Sequence, residues 1–92
     1  MTVITLGGRL GPETSYDLDG RLTPATTMVR PQVVVDLSSA EDIHPSVGSV
    51  LLYHQRQARR LAGDVHIVAP RTGDAHRLLD QIGLCRFTTV AA

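Results

Sequence analysis

The chain has no lysine and no tryptophan among its 92 residues, and only one phenylalanine, two tyrosines and one cysteine. Each shortage removes a class of function. Without lysine there is no ammonium to reach a phosphate in the manner of a P-loop. So few aromatic rings offer no base-stacking platform, and nine arginines are offset by nine acids, so the basic footprint of a nucleic-acid-binding protein is missing. The single cysteine, Cys85, cannot form an internal disulfide, which agrees with a reducing compartment. No apolar run approaches the length of a membrane span, and Met1-Thr2-Val3-Ile4 lacks the basic start and long apolar core of a signal peptide. The expectation is a cytoplasmic protein with no nucleic-acid or membrane partner and no cofactor.

What is present describes an ordinary globular chain, with 42% hydrophobic and 20% charged residues and a length that suits a single domain over residues 1–92. The charge is divided unevenly. Residues 1–45 carry three arginines and six acids, residues 46–92 six arginines and three acids. That split is a dipole, suited to docking on a protein surface of mixed charge.

The rest of the chain is organised around residues 31–63. Val33, Val34 and Val35 run into Asp36 and Leu37 as a short β-branched apolar stretch, the pattern of a strand buried on both faces of a parallel sheet. A polar loop over 38–45 follows, and Ser46 stands directly before an amphipathic helix. Val47, Val50, Leu51, His54, Ala58 and Leu61 form its apolar stripe, while Gln55, Arg56, Gln57, Arg59 and Arg60 face the other way. Gly63 is placed to end that helix in the left-handed conformation.

Before this unit, residues 2–6 read as a strand closed by Gly7-Gly8. Thr14 and Asp17 have the spacing of a helix start, giving a helix over 14–22 that breaks before Pro24. After it, residues 65–69 form a strand. Thr72 or Asp74 caps a helix with the stripe Ala75, Leu78, Leu79 and Ile82, Gly83 stops it with Leu84 packed back on its last turn, and residues 86–90 form a final strand. The order is β-α-β-α-β-α-β, an α/β fold around a mostly parallel four-stranded sheet.

Few motifs point to chemistry. The glycines of Gly7-Gly8-Arg9-Leu10-Gly11 fit a tight turn and no phosphate-binding fingerprint. His44, His54, His66 and His76 lie ten or twelve residues apart on different elements, which is no spacing for a metal site. His54 and His66 read as partly buried, hydrogen-bonded side chains. Ser46, His44 and Asp36 offer the residue types of a hydrolase without an elbow or oxyanion motif, and a two-residue spacing does not show that Ser46 and His44 converge. Ser46 has two further readings. A serine before a helix is commonly an N-cap. It is also a place where a phosphate meets a helix start, with a charge change of nearly two units.

The stretch VVVDLSSAEDIHPSVGSVLL resembles the central motif of STAS domains, the sulphate-transporter and anti-sigma-factor-antagonist family. There a strand ends in D-L-S, and a short loop leads to D-S-S-G and a helix. ITLGGRL is similar to the family's strand ending in L-S-G-E-L-D, and HIVAP with HRLLDQIGLCRFTTV to its closing strand, helix and final strand. The resemblance covers nearly the whole chain and implies a STAS-type fold with the family's leading strand missing. It also implies an anti-sigma factor antagonist with no catalytic activity of its own, which binds an anti-sigma factor, often a serine kinase. Phosphorylation of the second serine of D-S-S-G, here Ser46, would prevent that binding. The implied partner surface comprises Ser39, Glu41, Asp42, His44, Ser46 and Ser49. The departures are His44 for Asp, Pro45 for the first Ser and Val47 for Gly, with Gly11 in place of the Asp after G-E-L. The other reading of the resemblance is a STAS interaction subunit of a transport or signalling complex, with Ser46 only a cap. The missing leading strand leaves residues 2–6 on an uncovered edge, where a second copy could pair as a homodimer.

Overall fold

The computed structural model describes residues 1–83 and the backbone of 87–89. In chain order it contains β1 (Thr2–Thr5), β2 (Gly8–Leu10), α1 (Pro12–Thr26), β3 (Gln32–Asp36), β4 (Ala40–Ile43), α2 (Pro45–Arg60), β5 (Asp64–Ala69), α3 (Asp74–Gln81) and β6 (Phe87–Thr89). The main sheet has the order β1-β3-β5-β6, with every neighbouring pair parallel. This is the four-stranded parallel sheet that the alternation of strand and helix signals predicts.

Two short strands lie where the sequence reads as turn and loop. β2 and β4 pair in parallel as a second small sheet. They continue the β1–β3 pair past a kink in both chains: Leu6 donates to the Asp36 carbonyl at 3.0 Å, and Gly8 donates to the Ser39 carbonyl at 3.0 Å. Gly8 makes its side of the kink at φ +74°, a conformation that glycine adopts without steric cost. Beyond it Leu10, Ala40 and Ile43 turn inward and are buried, while Arg9, Glu41 and Asp42 stay exposed.

α1 starts two residues earlier than the Thr14 signal and runs through Pro24. Pro12 occupies the first turn, where its missing N–H costs nothing. Pro24 lies in the last turn, where its exposed ring faces an exposed Gly20, so the carbonyl deprived of its donor can be hydrated. Threonine hydroxyls satisfy neighbouring carbonyls: Thr23 donates to Asp19 and Thr26 to Leu22, both at 2.8 Å. Leu18 and Leu22 are fully buried and hold the helix to the core.

α2 buries Val47, Leu51, His54 and Ala58 as its stripe predicts, but Leu61 is exposed and Gln55, expected outside, is completely buried. Gln55 Nε2 donates to the Val65 carbonyl at 3.1 Å, so an amide bridges helix and sheet inside the core. The left-handed residue after α2 is Ala62, at φ +61°, and not Gly63. Gly63 serves close approach instead: a Cβ there would stand 2.0 Å from the Pro31 carbonyl oxygen. At α3 neither Thr72 nor Asp74 caps; Gly73 stands before the helix, and Gly83 after it is left-handed as expected. Leu84 and Cys85 lie outside the described residues.

Each right-handed crossover advances the sheet in one direction, which places α1, α2 and α3 on the same face. Ile4, Val33, Val35, Val65 and Ile67 are buried beneath them. Val34 alternates to the other face with its register partners Val3 and His66 and is only half-buried, so β3 is not buried on both sides.

Candidate functional site

The start of α2 is fixed by three consecutive residues. Pro45 takes the first helical position, pre-set for it by its ring. His44 is the cap, in place of the expected Ser46: its backbone is extended and its ring Nδ1 accepts the Ser46 N–H at 3.1 Å. Its carbonyl accepts the Val47 N–H at 2.9 Å. Ser46 is therefore inside the first turn, half-buried, with its Oγ 2.8 Å from the same Nδ1. A nitrogen that accepts the backbone N–H carries no proton, so the Ser46 hydroxyl is the donor in that contact.

His44 and Ser46 thus do converge, but Asp36 does not join them. The Asp36 Oδ1 accepts the Ser38 N–H at 2.9 Å, closing a tight turn at the end of β3. The Ser38 hydroxyl, and after it that backbone N–H, hold the Asp36 carboxyl below the usual carboxylate range against slight desolvation. Asp36 acts on the turn that aims β4.

Beside the cap lies a depression of about 220 Å³ lined by Arg9, Leu10 and Gly11 from the β2 side and by Asp42, Ile43, His44 and Pro45 from the β4 side. His44 donates its backbone N–H to Leu10 at 2.8 Å, which ties the cap to β2. Of the expected partner-binding residues, Asp42, His44 and Ser46 lie close together. Ser49 is exposed one turn along α2, its hydroxyl donating back to the Pro45 carbonyl at 3.3 Å. Glu41 is exposed on β4, and exposed Ser39 stands at the opposite end of that strand, roughly 16 Å of extended chain from His44. The set runs from the turn before β4 along that strand into the first turns of α2. Sequence reasoning misses the contribution of Arg9, because the β2–β4 pairing that brings it opposite Asp42 rests on strands of three and four residues.

A larger groove of about 370 Å³ lies elsewhere, between α1 and α2, with Thr23, Thr26, Thr27, Tyr53, His54 and Arg60 among its walls. His54 at its floor is buried, with Nδ1 3.0 Å from Thr26 Oγ1 and Nε2 2.7 Å from Asp19 Oδ1. It joins the two helices, as a hydrogen-bonded core histidine should. Among the described residues no three His, Cys, Asp or Glu side chains converge on a metal position, and no helix is long and apolar enough to cross a membrane.

The sequence matches no protein-family model, and no curated protein matches it. Among solved structures the chain is similar to the anti-sigma factor antagonist SpoIIAA in its unphosphorylated form. The TM-score is 0.72 at 17% sequence identity, over 99% of this chain and 80% of that one. The α/β fold with its parallel sheet is thus the STAS-type fold expected from the D-L-S stretch and its flanks.

Proposed function

We propose that this protein is an anti-sigma factor antagonist: a cytoplasmic, non-catalytic module that binds an anti-sigma factor of the serine-kinase type and so regulates sigma-factor-dependent transcription. Its binding surface comprises Ser39, Glu41, Asp42, His44, Ser46 and Ser49, and phosphorylation of Ser46 releases the partner. The observation that carries this reading is the placement of Ser46. Its hydroxyl is held at the rim of the β4–α2 junction, in a fold shared with an antagonist whose unphosphorylated form has its own structure. A dianion added there changes the charge of that surface at a half-buried serine whose preceding residues, His44 and Pro45, are exposed, while Val47 behind it belongs to the core. Self-association through the β1 edge is part of the proposal.

The reading is tested by affinity capture of the partner from the native cell, followed by incubation of the pair with ATP and mass spectrometry of the chain. Capture of an anti-sigma factor and a phosphate on Ser46 are expected. Capture of a transporter with Ser46 unmodified would favour the role of a STAS interaction subunit. Labelling of Ser46 by a serine-directed activity probe would favour a hydrolase.

A further inference from the structure

We infer that His44 is the built-in counter-ion of a phosphate on Ser46: the imidazole that caps α2 in the unmodified protein becomes protonated and pairs with the phosphate in the modified one. The inference rests on the proposed modification of Ser46 and adds how this particular site would hold it. The start of α2 has no spare backbone donors to offer a phosphate. Pro45 has no N–H, the Ser46 N–H goes to the His44 ring, and the Val47 N–H goes to the His44 carbonyl. A phosphate must therefore be met by side chains, or displace the ring.

His44 Nδ1 lies 2.8 Å from Ser46 Oγ, within hydrogen-bond distance of that hydroxyl. In the unmodified protein this nitrogen is an acceptor twice over, from the Ser46 N–H and from the hydroxyl. Phosphorylation removes the hydroxyl proton and puts anionic oxygens beside the bare lone pair. That arrangement is repulsive until Nδ1 takes a proton, after which the ring donates to a phosphate oxygen as a charge-assisted bond. A second phosphate oxygen can then accept the Ser46 N–H that the ring gives up, so the helix start stays satisfied. The family's usual residue at this position, an aspartate, could cap but could not pair with the phosphate. Once formed, the imidazolium would offset about one of the nearly two negative charges added.

Other charged groups face this site. Arg9 on β2 lines the same depression and would add to the effect, whereas Asp42 on β4 and Glu13 in the first turn of α1, beside Gly11, oppose it. The test uses the full chain with phosphoserine incorporated at position 46 during translation, and follows the phosphate by ³¹P NMR from pH 4 to 8. Free phosphoserine loses its second proton near pH ~6. With His44 present the midpoint should fall at least about half a unit below that value, and His44→Asn, which keeps a capping side chain, should restore it. Equal midpoints in the two proteins would overturn the inference, as would a lowered midpoint that survives His44→Asn and disappears in Arg9→Gln. Neither result depends on the partner, so failure here is separable from failure of the antagonist reading, which is decided by whether phosphoserine at 46 weakens partner binding.

Discussion

At the scale of single residues, Ala62 and Gly63 divide two jobs that a glycine after a helix usually combines. Ala62 takes the left-handed turn, which costs an L-residue roughly 1–2 kcal/mol, while Gly63 makes room for the Pro31 backbone. Ala62 is exposed, so Ala62→Gly relieves the strain without removing a packed group. Offset by the larger freedom of glycine in the unfolded chain, the gain should be about 0.5–1 kcal/mol. Urea unfolding at unchanged slope would register it as a higher midpoint, and a lower midpoint would refute it. Such assignments escape sequence reading because the helix-end rule points to the glycine, and nothing in the sequence marks Ala62 as the left-handed residue. His44 and Gln55 escape it for a related reason: histidine is not among the usual caps, and a glutamine between His54 and Arg56 reads as solvent-facing until the Val65 carbonyl is known to lie beneath it.

At the scale of elements, α1 shows where local propensity loses to packing. Gly20 and Pro24 argue for a helix ending near residue 22, yet the buried Leu18 and Leu22, with Thr26 and Asp19 joined to His54, carry it to Thr26. The disfavoured residues still weaken it, as does an N-cap, Gly11, without a side-chain bond. The amides of α1 should therefore open before those of β3 in native-state hydrogen exchange, and equal protection of the two would contradict this ordering. By contrast, α2, α3, β3 and β5 were legible because their stripes or β-branched runs are uninterrupted. β2 and β4 were not, since strands of three and four residues leave no periodicity to read and gain their pairing only from the parent β1–β3 ladder.

At the scale of the whole molecule, the sheet departs from the habit of parallel sheets, which are normally covered on both faces. Here the three described helices share one face, and β1 is an edge with no charge or proline to discourage pairing. The Leu6 N–H points to β3, so alternation directs those of Val3 and Thr5 outward, available to a second β1 in antiparallel register. Light scattering over a dilution series should show a dimer that Val3→Pro abolishes, because this proline removes an outward donor while sparing the β1–β3 ladder. A strict monomer at high concentration, unaffected by the substitution, would rule out the edge as an interface. The junction of β4 and α2 carries the central claim that partner binding is governed by charge at Ser46. The most direct measurement is titration calorimetry of the captured anti-sigma factor against four forms of the full chain: unmodified, phosphoserine at 46, Ser46→Asp and Ser46→Ala. The account predicts that Ser46→Ala binds like the unmodified chain while phosphoserine weakens binding at least about tenfold, roughly 1.4 kcal/mol, with Ser46→Asp in between. Equal affinities across all four, or equal losses in Ser46→Ala and Ser46→Asp accompanied by equal destabilisation, would contradict it.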